Sequence, residues 1–138
     1  MKALVSVLVV VGLVTTACDN SGSTNTTSPT STVPTTSETF SDTVGVQGQS
    51  IKPFTVSQVG PVSATLTAVG PPATVFVGLG VGTLSSGACA LAASVNTQAS
   101  TTAQISGTAT LTGQYCVEVY DIGNLTAPVT YSVTVTHP

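Results

Sequence analysis

Short segments in which apolar and polar residues alternate strictly constrain the fold of this chain more than any other feature. Residues 61–68 and 129–136 each place an apolar side chain at every second position. A period of two is typical of a β-strand with one buried face, whereas an amphipathic helix repeats every three to four residues. Shorter rows follow the same pattern: Tyr115, Val117 and Val119; Ala103, Ile105, Ala109 and Leu111; and Phe54 with Val56. These segments predict a protein made of β-strands.

Clusters of glycine, proline and serine separate the alternating segments and predict turns. They lie at residues 48–50, 59–61, 70–72, 85–87, 111–113 and 121–124. The run at 74–81 is more continuously apolar, which favours a central strand that is covered on both faces. Seven or eight strands at this spacing, without a helical period, predict an all-β fold in the form of a single antiparallel β-sandwich. We expect this domain to span residues 42–138.

The first residues of the chain have the composition of an export signal. Lys2 precedes an apolar run at residues 3–14, which is too short for a permanent membrane helix, and small residues lead to Cys18. This pattern resembles a bacterial lipoprotein signal covering residues 1–17. The resemblance implies that Cys18 carries a diacylglycerol and fatty acids such as palmitate as the mature N-terminus. The alternative is an ordinary secretory signal that is cut after Ala17 and leaves Cys18 unmodified.

The segment between the signal and the sandwich is rich in serine and threonine. Residues 18–41 contain two prolines and almost no apolar side chains. Such a segment cannot bury enough surface to offset the entropy lost on ordering, so we expect a disordered linker. A flexible coil of this length reaches about 25–30 Å. The sequence therefore predicts a domain that is held away from the membrane by a lipid-anchored tether.

The charge balance excludes one class of partner. Once the signal is removed, Lys52 is the only lysine left, and the chain has no arginine. Nucleic acids and anionic lipid headgroups are bound by neutralising phosphates with such side chains. We therefore expect no nucleic-acid partner. The membrane partner is expected to be reached through the N-terminal lipid anchor, and the location is the bacterial cell envelope.

The number of cysteines predicts one disulfide. The chain has three cysteines, which leaves an odd thiol in an oxidising compartment. Lipidation of Cys18 leaves Cys89 and Cys116 free to pair with each other. Cys116 alternates with the apolar residues of its strand, so the bridge is expected on the outer face of a sheet. The alternative is two reduced cysteines that are buried as small apolar residues.

Two motifs near the C-terminus resemble a known family. Residues 113–119 read Gly-x-Tyr-x-Val-x-Val and residues 131–135 read Tyr-x-Val-x-Val, while 54–56 and 62–66 match the family's opening strands. In this order they resemble the bacterial pre-peptidase C-terminal domain over roughly residues 43–137. The resemblance implies a jelly-roll-like sandwich. Members often carry a central acidic segment linked to calcium, but residues 74–79 contain no carboxylate, so calcium does not carry over.

The sequence offers little catalytic or metal-binding chemistry, and we predict no catalytic residue, metal or cofactor. His137 is the only histidine, and its place near the C-terminus predicts a frayed, solvent-facing side chain. Asp121 and Asn124 could offer two oxygen ligands to calcium, but their spacing with glycine favours a turn in which they cap their own backbone. The glycines of 78–82 superficially resemble a phosphate-binding loop. No helix or lysine follows them, which favours a strand.

These observations predict a non-enzymatic lipoprotein that displays a small β-sandwich at the cell envelope for binding or structural purposes. The alternative from another class is a carbohydrate-binding surface module. Its expected ligand face contains Tyr120 on the outward side of its strand, together with Phe76 if that side chain is exposed. Whether a ligand is a protein or a glycan stays open at this stage.

Overall fold

A computed structural model describes residues 32–138, and all regular secondary structure in this part of the chain is β-strand. The eight strands are β1 (Thr36–Val44), β2 (Gln49–Val56), β3 (Gly60–Gly70), β4 (Val77–Ser85), β5 (Ala88–Thr97), β6 (Ile105–Ala109), β7 (Gly113–Tyr120) and β8 (Val129–His137). Across residues 32–138 there is no helix with the length and apolar character needed to cross a membrane.

The strands form two antiparallel four-stranded sheets that pack as a sandwich. Sheet I has the order β1-β8-β3-β6, and sheet II has the order β2-β7-β4-β5. Most consecutive strands therefore belong to opposite sheets, which is the connectivity of a jelly roll. The prediction of an all-β, jelly-roll-like sandwich with seven or eight strands is confirmed.

The core lies between the sheets and is built from the alternating residues of both. On β8, the side chains of Val129, Tyr131, Val133 and Val135 are buried, while the residues between them lie on the outer face. Val117 and Val119 of β7 approach them from sheet II as members of the same apolar cluster. Strict alternation in the sequence thus becomes one dry and one outer face on β8, whereas β4 is buried on both faces from Val77 to Gly82, as its continuous apolar run predicted.

Strand β1 corrects the expected boundary between linker and domain. The linker was expected to extend to residue 41, but β1 begins at Thr36 and pairs with β8 along its whole length. Its inward side chains include Phe40, which packs on the core. Composition underestimated this segment because a strand of serine and threonine obtains its order from backbone pairing with a neighbour, which a count of apolar residues does not detect.

Two other details differ from or extend the sequence pattern. The apolar row around Ile105 was expected to include Leu111, but β6 ends at Ala109 and the side chain of Leu111 is 72% exposed. The turn expected at 85–87 is a tight hairpin between β4 and β5. Ser86 and Gly87 both have positive φ values, of 51° and 79°, as a type I′ turn requires.

Candidate functional site

The predicted disulfide between Cys89 and Cys116 is present, with 5.8 Å between the two Cα atoms. It joins β5 to β7 across the intervening strand β4. Gly82 of β4 lies in register with Cys116. Cys116 is fully buried but does not belong to the core cluster, because it faces the outer side of sheet II. The expected position of the bridge, on an outer sheet face, is confirmed.

Three glycines of β4 form the floor of this outer side of sheet II, which we call the glycine face. Gly78, Gly80 and Gly82 alternate with the core residues of β4, so the predicted strand is confirmed where a phosphate loop had been the alternative. A Cβ atom on Gly80 would lie 2.6 Å from Cδ2 of Leu91, and one on Gly82 would overlap the Ala90 carbonyl group. Neighbouring strands therefore cover the glycine positions closely.

Tyr120 and Phe76 both belong to the glycine face. Tyr120 is paired in register with Gly78, and Phe76 precedes Gly78 by two residues on the same side of the chain. Phe76 is 46% exposed. A Cβ atom on Gly78 would overlap Cε2 and Cζ of Tyr120 and lie 2.6 Å from Cδ2, so the ring covers the glycine with its flat side. The two residues that the sequence suggested for a ligand face thus share one surface.

Glu118 is a residue of the glycine face that the sequence reasoning missed. It lies between Cys116 and Tyr120 on the outward side of β7, opposite Ile51 of β2 and Gly80 of β4. Only 7% of the residue is exposed, but its carboxylate oxygens reach the surface, since no side-chain oxygen in residues 32–138 is fully buried without a hydrogen-bond partner. Burial raises the pKa of its carboxyl group. Glu118 lies two residues from Tyr120 in the same strand, so the sequence already placed both side chains on one face. That pattern does not show whether a side chain is buried.

The outer side of sheet I differs completely, and we call it the hydroxyl face. Serine and threonine hydroxyls of β1 and β8 bond across the strands at distances of 2.8, 2.9 and 2.6 Å for the pairs Ser37–Thr136, Thr39–Thr134 and Ser41–Ser132. Further hydroxyl residues continue these rows onto the neighbouring strands, namely Ser63, Thr65 and Ser106. The outward positions of this sheet hold no charged side chain.

A polar network connects the two sheets at the edge formed by β1 and β2. The Tyr131 hydroxyl donates to Ser50 Oγ at 2.8 Å, Ser50 Oγ donates to Asp42 at 3.0 Å, and Lys52 Nζ contacts the same carboxylate oxygen at 2.6 Å. The hydrogen bond from Lys52 is the main cause that lowers the pKa of Asp42 to about 2. The same contact raises the pKa of Lys52.

This network is poorly suited to activating Ser50 as a nucleophile. A carboxylate whose pKa is about 2 is too weak a base to remove a hydroxyl proton near neutral pH. Lys52 stays protonated for the reason just given, so it cannot serve as a base either. The residues hold β1, β2 and β8 together. The sequence did not reveal the network because Tyr131 lies 81 residues from Ser50 and the strands belong to two different sheets.

The expectation for His137 was wrong. The ring is only 4% exposed, ends β8, and packs 5.1 Å from the Phe54 ring between centroids. Nε2 donates to the Glu38 carboxylate at 2.8 Å, and Nδ1 lies 3.3 Å from the Pro138 carbonyl oxygen. The pairing of β1 with β8 buries a terminal residue that would otherwise fray. Since both nitrogens face these groups, the ring does not form a triad with a serine.

The turn around Asp121 uses its carboxylate to cap backbone groups. Oδ1 accepts from the amides of Gly123, Asn124 and Leu125, and Oδ2 accepts from Gln47 at 2.8 Å. These bonds lower the pKa of Asp121, the bond from Gln47 most strongly. The side-chain amide of Asn124 donates from Nδ2 to the Phe76 carbonyl oxygen. Residues 32–138 contain no cluster of three or more His, Cys, Asp or Glu side chains that could hold a metal.

The remaining predictions on the N-terminal part, namely the signal at 1–17 and lipidation of Cys18, lie outside the described residues. No protein-family model and no curated protein matches this chain. The resemblance to the pre-peptidase C-terminal domain therefore stays a prediction that depends on the motifs quoted above.

Proposed function

We propose that this chain is a non-enzymatic lipoprotein of the bacterial cell envelope that displays one β-sandwich on a lipid anchor at Cys18. The observation that carries the proposal is that three of the four Asp and Glu side chains in residues 32–138 are engaged in structural contacts. Glu38 bonds His137, Asp42 bonds Lys52, and Asp121 caps a turn. With these groups committed to holding strands and turns together, the domain is better suited to binding or structural support than to catalysis.

The anchor is tested by partitioning the full chain, expressed in a bacterium, between Triton X-114 and water. We expect the wild type in the detergent phase and Cys18→Ala in the aqueous phase, because two acyl chains are sufficient for stable membrane attachment. Asp19→Asn is the matched control, since it alters the neighbouring residue and keeps the thiol. A mature N-terminus at Cys18 whose mass lacks a diacylglycerol would contradict the proposal.

A second candidate function is carbohydrate binding, and one observation favours it. Tyr120 lies with one side of its ring over Gly78, while Phe76 is exposed on the same face. Flat aromatic surfaces with nearby polar groups are suited to sugars, which have an apolar side and a rim of hydroxyls. The binding of neutral oligosaccharides to the purified protein tests this function, as specified below.

A further inference from the structure

The ring of Tyr120 lies within a row of residues that crosses all four strands of sheet II. Register places Gln49 of β2 opposite Tyr120 of β7, Tyr120 opposite Gly78 of β4, and Gly78 opposite Asn96 of β5. Directly paired residues share a sheet face. Gln49 and Asn96 are both exposed. The row therefore presents an aromatic ring with a side-chain amide on each side, and it extends about 14 Å at ordinary strand spacing.

The next row along the strands supplies a charged hydrogen-bond acceptor. Glu118 lies two residues from Tyr120 on the same face of β7, about 6–7 Å away along the strand. Only 7% of this residue is exposed, but no side-chain oxygen in residues 32–138 is fully buried without a hydrogen-bond partner, so the carboxylate oxygens of Glu118 reach the surface. A carboxylate that reaches the surface of a packed sheet face can accept hydrogen bonds from the hydroxyl groups of a ligand.

The charges near this row restrict the ligand. Lys52 is the only lysine or arginine in residues 32–138, and it is paired with Asp42 at the sheet edge. An anionic ligand would find no cation on the glycine face and would be repelled by Glu118. Amides beside an aromatic ring fit a ligand with many hydroxyl groups and no net charge.

We propose that Glu118, Tyr120, Gln49 and Asn96 form a binding site for a neutral oligosaccharide. Tyr120 stacks on the apolar side of a sugar ring, Glu118 accepts hydrogen bonds from its hydroxyl groups, and the two amides fix its orientation. This inference rests on the second candidate function and adds to it the ligand class and three residues that the sequence reasoning did not identify.

The test is an NMR titration of the full ¹⁵N-labelled chain in detergent with cellohexaose, chitohexaose and mannohexaose. We expect saturable shifts confined to the backbone amides of the four residues and their neighbours for at least one of these probes. Glu118→Gln is expected to weaken binding about tenfold or more, because a hydrogen bond to a charged group is lost. Tyr120→Phe is expected to keep binding within about threefold, and Tyr120→Ala to abolish it.

Controls separate this site from other outcomes. Thr39→Ala on the hydroxyl face should leave the affinity unchanged, and an amide spectrum of Tyr120→Ala that matches the wild type shows that the variant is folded. Polygalacturonate, an acidic glycan, should not bind. The inference is overturned if no neutral probe shifts these amides or if the shifts lie on the hydroxyl face. It is also overturned if the small cation choline is the only probe that binds. Detergent partitioning reports on the anchor independently, so either proposal can fail alone.

Discussion

The two outer faces of the sandwich are built on opposite principles. The hydroxyl face of sheet I consists of serine and threonine side chains that bond to one another across strands, as in the pair Thr39–Thr134. The glycine face of sheet II instead has no side chain at the outward positions Gly78, Gly80 and Gly82 of β4. Residues of β5 and β7 lie directly against the β4 backbone at these positions. The hydroxyl face is formed by many similar side chains, whereas the glycine face is formed by the close approach of β5 and β7 residues to the backbone of β4.

This difference predicts which surface tolerates change. Replacing one hydroxyl among many removes a weak contact that water can substitute. Adding a single methyl group to Gly82 of β4 requires that the backbone of β5 move, because Ala90 and Leu91 already fill that space. The closely packed face also holds Glu118, a residue that is only 7% exposed.

The largest effect is expected from a pair of matched glycine substitutions. Gly82→Ala would place a Cβ over the Ala90 carbonyl group and 2.8 Å from the Leu91 Cα, so β5 must shift. We expect a loss of more than about 4 kcal/mol in the free energy of unfolding, measured by urea denaturation. Gly107→Ala in sheet I is the control, since nothing lies within 4 Å of its Cβ position.

Gly107→Ala should leave stability unchanged or raise it by up to about 1 kcal/mol through the unfolded state. Equal losses in the two variants would show that the faces do not differ in how tightly they are packed.

Removal of the disulfide is the next largest change. Cys89 and Cys116 are separated by 27 residues in sequence, so their bridge restricts a long loop of the unfolded chain. The double variant Cys89→Ala/Cys116→Ala should lose about 3.5 kcal/mol in the chain-entropy estimate. Urea denaturation of the wild type with and without reductant gives a second measurement. A loss below about 1 kcal/mol would show that the pairing of β5 with β4 stabilises this part of sheet II without the bridge.

Two carboxylates should give opposite dependences on pH. Burial raises the pKa of Glu118 in the folded state, so its carboxylate destabilises the protein at neutral pH. That cost disappears as the pH falls through the folded pKa. Glu118→Gln should therefore increase stability at pH 7 and flatten the rise on mild acidification, as measured by thermal unfolding between pH 3 and pH 8.

Asp42 has the reverse sign. Its folded pKa of about 2 lies below the ordinary value of 3.8, so its stabilising effect is complete above pH 3.8 and is lost as the pH falls towards 2. Asp42→Asn should lower stability at pH 7 and weaken the loss in acid. If both variants change stability in the same direction at pH 7, the assignment of burial to one group and of hydrogen bonding to the other is wrong.

The smallest effect is expected on the hydroxyl face. Thr39→Val and Thr134→Val keep the branched shape and remove the hydroxyls that bond at 2.9 Å. Each should change stability by less than about 0.5 kcal/mol, and a double-mutant cycle should give a coupling of about 0.2–0.5 kcal/mol. A coupling above about 1 kcal/mol would mean that the hydroxyl pairs act as a cooperative network, which would remove the contrast between the faces.

Part of the candidate site could be predicted from local sequence. Tyr120 was assigned to an outer face because its neighbours in β7 alternate with it, and Cys116 was assigned there for the same reason. The partners Gln49 and Asn96 could not be predicted, because they belong to strands whose register with β7 depends on the whole sandwich. Glu118 had the correct parity, but its burial depends on packing with β2 and β5.

The sequence by itself determined that the chain forms strands and which face of its alternating strands is buried. These properties depend on a period of two and on residue type, so they can be read locally. Tertiary structure alone decided that residues 36–41 complete a sheet, that His137 is buried against Glu38, and that an aromatic ring lies over Gly78. Each of these follows from contacts between residues far apart in the chain, whose free energy no local pattern records.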